Sequence, residues 1–260
     1  MAPQAFWIPE GNDVFSATIY TQGPWNPQFQ HGGPPGALLV RQMEHCSPRS
    51  DMLLSRVTID ILGPVPIAPL HAYARLIRPG RNIELLEAFL EQGDRLIMHA
   101  SGWRIRAPVD RPPVTEPETL LNVPQEETNP FKELGWSCGY LDATEWRYVR
   151  GEITSPGAAT AWTRLRYPLI AGEDVSPTQR LIAAADAANG VSSPLDIHVW
   201  QFVPPELTVH SLRPPVGEWI CLDATTYIES EGVGLTLAAL YDRHGLVGRS
   251  AQSLFISRRV

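Results

Sequence analysis

ELLEAFLEQGDRLIMHASGWRI (Glu84–Ile105) returns in the second half of the chain as LTLAALYDRHGLVGRSAQSLFI (Leu235–Ile256). Leu86 meets Leu237 at an offset of 151, and Leu96 meets Leu246 at 150, which places a one-residue slip in the turn. Each copy reads as a strand, a Gly-bearing turn (Gln92-Gly93-Asp94, Arg243-His244-Gly245) and a second strand with a small residue near its middle. A repeat of this length indicates a duplicated domain rather than a solenoid. In a duplication one copy can drift while the other keeps the chemistry, so the differences between copies point to the site.

The same order extends outward from both copies. Before the first lie an extended stretch (Val14–Thr21), a loop (Trp25–Pro35), an apolar helical run (Gly36–His45) and strand-like runs at Leu54–Ile61 and Leu70–Arg78. Pro35 suits a first helical turn, where its missing N–H costs nothing. Ahead of the second copy, a strand at Thr160–Tyr167 precedes Ser176-Pro177-Thr178-Gln179, a capping-box pattern. The helix RLIAAADAAN should then stop near Gly190. Strands are expected at Leu195–Phe202, Leu207–Leu212, Trp219–Ser230, Val233–Asp242 and Leu246–Arg258. One helix followed by four or five antiparallel strands, twice over, is an α+β architecture with each sheet around a central helix. Between the copies, Ala107–Pro130 holds six prolines among polar and acidic residues, a linker composition. The expected organisation is therefore 1–106, a linker at 107–135, and 136–260.

Composition limits the function. With 43% hydrophobic and 19% charged residues, the 260-residue chain can bury a core. A net charge of −7 with no basic stripe excludes nucleic acid as a partner. Arg78, Arg81 or Arg104 could still hold an anionic substrate locally. Cys46, Cys138 and Cys221 are scattered, with no metal-ligand spacing. The first residues lack a leader pattern and no apolar run reaches 18 residues, so a soluble, cytoplasmic protein is expected. A nucleophile elbow, a dinucleotide fingerprint and a P-loop are all missing, which discounts Ser101 and Ser253 as nucleophiles.

Asp186 stands out on its own. It sits among alanines in a helix, where Asp is a poor helix former, and toward the C-terminus, where the dipole opposes negative charge. Laying the first helix on the second puts Arg41 or Gln42 at its place, and Gly102 stands opposite Gln252 at the offset of 150. A single site in the second copy is expected. His31-Gly32-Gly33 could bring backbone close to a ligand, or form a tight loop into the helix. Thr225 and Gln252 are weak signals alone.

Taken together, the element order, the HGG before the first helix and AADAANG in the second resemble the hotdog fold. More narrowly, the chain resembles the acyl-CoA thioesterase II type, a double hotdog in one polypeptide. The resemblance implies that Asp186, Thr225 (in LDATTYIESEG) and Gln252 (in GLVGRSAQSLFI) hold a water that attacks an acyl-CoA thioester. Thr226 points to the opposite face of the strand from Thr225. His31, Gly32 and Gly33 would line the substrate pocket, with helix N-terminal N–H groups at the oxyanion. Neither a metal nor a cofactor is implied. The alternatives are a hotdog enoyl or hydroxyacyl thioester hydratase, whose Asp-x-Asn-x-x-His motif is missing, and a non-catalytic acyl-CoA binder. Sheet edges left by the fusion suggest a homodimer or higher oligomer.

Overall fold

The computed structural model describes residues 4–110, 112–114, 122–125, 137–152 and 155–259. Most of the expected linker therefore lies outside the described residues. The first half runs β1 (Trp7–Gly11), β2 (Val14–Ala17), a 3-10 turn (Ile19–Thr21), α1 (Gly33–His45), β3 (Met52–Ile61), β4 (Pro69–Arg78), β5 (Ile83–Gln92) and β6 (Arg95–Arg106). The second runs α2 (Gly139–Asp142), β7 (Thr144–Glu152), β8 (Ser155–Leu165), α3 (Pro177–Ala185), α4 (Ala188–Val191), β9 (Trp200–Val203), β10 (Glu206–Ser211), β11 (Ile220–Ile228), β12 (Val233–Asp242) and β13 (Gly245–Arg258).

Among the described residues the strands form one antiparallel sheet in the order β1-β2-β4-β5-β6-β3-β10-β13-β12-β11-β8-β7, with β9 added on β13. The halves meet at β3 and β10, where Val57 pairs with Val209 and Thr58 with Thr208. Outward from that seam the order is mirrored: β6 and β13, then β5 and β12, then β4 and β11. No helix among the described residues is long and apolar enough to cross a membrane.

The two hairpins close alike. Leu90 pairs with Met98 before a bulge, then Glu91 with Leu96; Leu240 pairs with Gly248 before a bulge, then Tyr241 with Leu246. Every one of these positions is related by 150, so the expected slip in the turn is absent. Leu86, paired with Gly102, corresponds to Thr236, paired with Gln252. Matching Leu86 to Leu237 would have flipped the strand, because a shift of one residue exchanges the faces. Leu86 is fully buried, whereas Leu237 is 44% exposed on the outer face.

α1 packs on β4, β5 and β6, α3 packs on β8 and β11, and the two helices pack on each other. Small residues permit this approach: a Cβ on Gly36 would lie 2.9 Å from Ile59 Cδ1 and 3.3 Å from Ile182 Cγ2. The core then runs through both halves, including Leu38, Leu39, Met43, Leu86, Ile182, Leu222 and Leu240. Each such side chain contributes roughly 1.5–3 kcal/mol by burial. Ser176 forms the expected capping box with Gln179. The helix stops earlier than expected, with Asp186 as its C-cap, and a separate turn follows at α4. The strand expected at Leu195–Phe202 is confined to β9.

An ion pair on a buried carboxylate ties β12 to the connection after β10. Arg213 donates from Nη1 and Nη2 to Asp242 at 2.5 and 2.7 Å, and the N–H groups of Val216 and His244 donate at 2.7 Å each. Burial pushes the Asp242 carboxyl up, but these donors outweigh it and hold the carboxyl below its ordinary range. A lowered carboxyl stabilises the fold above its unfolded-state titration and stops doing so as pH falls through the folded one. Asp242→Asn should therefore cost about 2 kcal/mol at pH 7, and the gap from wild type should close in strong acid. Urea titrations at pH 7 and below the ordinary aspartate range check this; a gap that stays constant with pH would contradict it.

Candidate active site

The C-cap position of α3 brings Asp186 to the start of α1, and the carboxylate is 4% exposed. A Cβ on Gly32, the N-cap of α1, would lie 2.9 Å from Oδ2 and 3.0 Å from Oδ1. Only glycine lets the chain pass so close. The positive end of α1 thus faces the carboxylate and offsets the unfavourable end of α3. That arrangement resolves the anomaly visible in the sequence.

Two side chains hold the carboxylate. His31 Nδ1 lies 3.0 Å from Oδ2, and Gln252 Nε2 donates to the Asp186 carbonyl at 3.2 Å and to Oδ1 at 3.4 Å. The Gly33 N–H also reaches His31 Nδ1, at 3.1 Å. One nitrogen therefore serves two neighbours: unprotonated, it accepts from Gly33; protonated, it donates to Asp186. Pro34 and Pro35 carry no N–H, so this helix start has fewer donors than usual. The imidazole is stacked on the Tyr140 ring at 3.8 Å and 6°. Tyr140 is fully buried and donates to the Ala183 carbonyl at 2.7 Å. Burial first, then the charge of Asp186, holds its phenol well above the ordinary range, so it stays a neutral donor.

Asp186 and His31 line a cavity of about 450 Å³ whose wall is mainly apolar, with Trp25, Phe29, Trp146 and Phe202 prominent. Asn189 lines it too, its amide fixed on the Phe202 carbonyl at 3.2 Å. A buried carboxylate at the wall of an apolar cavity can accept a proton from a water and leave room for a hydrophobic group.

Asp186, Gln252, His31 and Gly32 come together as a cluster, and Gly33 adjoins it. Thr225 does not join them. It pairs with Leu237 on the outer face, while Thr226 pairs with Thr236 on the inner one. Thr226 Oγ1 lies 2.7 Å from both Ser192 Oγ and Thr236 Oγ1, and Thr236 stands across from Gln252. Alternation in the strand could have separated the two threonines, but only the pairing register says which one faces inward. Tyr140, Ser192 and Thr236 carry no sequence signal that singles them out.

Among the described residues, the corresponding positions of the first half carry different groups. Gln42, at the position of Asp186 counted from the N-caps Gly32 and Ser176, gives its amide to the Ala72 carbonyl. Arg41 pairs with Glu173 at 2.6 Å. Gly102 faces Met43 and Leu54, and a Cβ there would lie 2.8 Å from the Met43 sulfur. A second cavity, about 660 Å³, lies beside these residues. Arg104 on its wall is buried against Glu84 at 2.5 Å, and Arg78 donates to the Ile83 carbonyl, so neither reaches the Asp186 cluster.

A family model for the acyl-CoA thioesterase C-terminal domain matches residues 117–256, and one for the N-terminal domain matches 21–105. No curated protein sequence matches significantly. Among solved structures, a Thermobifida fusca YX protein provisionally named a thioesterase II superposes with a TM-score of 0.73. It has 17% identity over 97% of this chain and 95% of that one. A conserved hot dog fold protein of Alicyclobacillus acidocaldarius gives 0.73 at 16% identity, covering 97% and 96%. An acyl-CoA thioesterase II, TesB2, from Mycobacterium marinum gives 0.66 at 13% identity, covering 97% and 95%. At these identities the likeness is one of fold, and the fold is of the hot dog type.

Proposed function

Since the chain belongs to the acyl-CoA thioesterase family and is a thioester hydrolase, we propose that it hydrolyses acyl-CoA at Asp186. The carrying observation is the buried Asp186 carboxylate at the wall of an apolar cavity, held by Gln252 and His31. In this reading the two halves are fused hotdog repeats, 1–106 and 136–260. The mirrored strand order and the constant offset of 150 in the paired hairpins support that reading.

Asp186 takes a proton from water as the water oxygen attacks the thioester carbonyl carbon. Gln252 Oε1 accepts from no protein group among the described residues, so it can orient that water. The N–H of Gly33, at the start of α1, would turn from His31 Nδ1 to the developing oxyanion. Collapse breaks the C–S bond, and the departing thiolate recovers the proton from Asp186. The acyl group occupies the aromatic-walled cavity. Thr226 takes the place expected for Thr225: through Ser192 and Thr236 it braces the strand pair behind Gln252.

Thiol release from a panel of short, long and branched acyl-CoAs tests the activity. Thr226→Val should lower kcat about five- to tenfold, the value of one or so buried hydrogen bonds. Thr225→Val should stay within about twofold, since it lies on the other face. The reverse order would return the role to Thr225.

The contact between His31 and Asp186 also favours a second reading, because an imidazole and a carboxylate from different halves share one pocket. That pair could add water to an enoyl thioester. Formation of a 3-hydroxyacyl product from enoyl-CoA, with no thiol released, would select the hydratase.

A further inference from the structure

Resting on the hydrolase reading above, we propose that the phosphate-bearing end of the substrate's thiol carrier docks on Arg258 and Arg259, at the end of β13. Alternate residues of a strand share a face, so Gln252, Leu254, Ile256 and Arg258 lie in one line. Gln252 is fully buried beside Asp186, Leu254 and Ile256 are nearly so, and Arg258 is exposed. The line runs from the carboxylate to solvent over a length of about 20 Å at the usual rise per residue. An extended pantetheine arm covers a distance of that order. A thioester held at Asp186 therefore brings its pyrophosphate to the rim.

The rim is prepared for anions. Arg258 lies over the Trp200 ring at 5.6 Å, its partner across the pair of β9 and β13. Arg259 lies over the Trp25 ring at 5.2 Å, and Trp25 stands edge-on to Phe202 at 5.1 Å, both rings on the cavity wall. The Arg259 N–H donates to the Val199 carbonyl at 2.9 Å, which anchors the segment. Neither guanidinium pairs with a carboxylate among the described residues. By contrast, Arg49, Arg104, Arg106 and Arg213 around the second cavity all pair with acids. A third guanidinium, Arg95, lies against Gly63, another residue of the first cavity's wall. In a chain of net charge −7, two cations over indole rings, one of them the Trp25 ring of the cavity wall, form a local anion site. Their planar forks suit phosphate oxygens, and the indole faces keep them oriented.

The test compares an acyl-CoA with the N-acetylcysteamine thioester of the same acid, which keeps the reacting bond and lacks the phosphates. In Arg258→Glu/Arg259→Glu, the ratio of kcat/KM for the CoA ester to that for the short ester should fall about tenfold or more. Added salt should weaken the wild type on the CoA ester and leave the variant little changed. Calorimetric titration with free CoA gives a readout independent of turnover, and Kd should rise by a similar factor. An unchanged ratio, or CoA binding equal in wild type and variant, overturns the proposal. Arg258→Gln/Arg259→Gln repeats the measurement should the double reversal fail to fold. If instead neither ester is hydrolysed by wild type while CoA binding still depends on the arginines, the hydrolase reading fails and the anion site stands.

Discussion

Asp186→Asn should lower kcat for thioester hydrolysis about a thousandfold, with the fold intact. The amide keeps the shape of the carboxylate but cannot take a proton from water, and general base catalysis is typically worth about 10²–10⁴. Stability should change little. The substitution gives up an attraction to His31 and to the start of α1, and also relieves a negative charge at the C-terminal end of α3. KM should move less than kcat, because the cavity wall that would hold the acyl group is untouched. Steady-state thiol release and a thermal melt on the same preparation check both halves of the prediction. A variant retaining kcat/KM within about twofold on every acyl-CoA would remove Asp186 from the chemistry.

Gly33→Ala should cost about 100-fold in kcat/KM and destabilise the fold by about 1–3 kcal/mol. The added methyl carbon would stand 2.5 Å from the Ala183 carbonyl oxygen and 3.2 Å from His31 Nδ1. The first contact is with backbone, so it cannot be relieved by a side-chain rotation. α1 must move off α3, and overpacking of this kind costs about 1–3 kcal/mol. The start of α1 carries the Gly33 N–H and positions His31 against Asp186, and a displacement of about 1 Å at a reacting centre can cost about 100-fold. Denaturant titration and kinetics on the variant measure the two effects. Wild-type values in both would mean that the helices do not meet as closely as Gly33 and Ala183 place them.

Much of this arrangement is legible in consecutive residues. The two hairpins, the capping box at Ser176 and the small-residue helix around Asp186 follow from periodicity, turn chemistry and capping, all of which act over a few neighbours. Asp186 was conspicuous for the same reason: it violates helix propensity and the dipole locally, and both are written in the residues beside it. The asymmetry between Gly102 and Gln252 also needs only a count along the chain.

Tertiary structure decided everything that depends on register or on contact between the halves. Thr225 and Thr226 are equivalent as a pair of letters; the ladder of β11 on β12 turns Thr226 inward. The repeated leucines suggested a slip in the hairpin, and the pairing removes it by setting Thr236 where Leu86 stands. His31 reaches Asp186 only because Gly32, Gly33 and Gly36 let two helices 144 residues apart in their N-caps pack together. Whether an arginine is neutralised or free likewise depends on which acid the fold brings beside it: Glu84 reaches Arg104, and no described carboxylate reaches Arg258. Local chemistry determines which elements form, because its energies arise between neighbours in sequence. Faces, contacts and pairings are settled by the burial of surface between distant segments, which no local pattern contains.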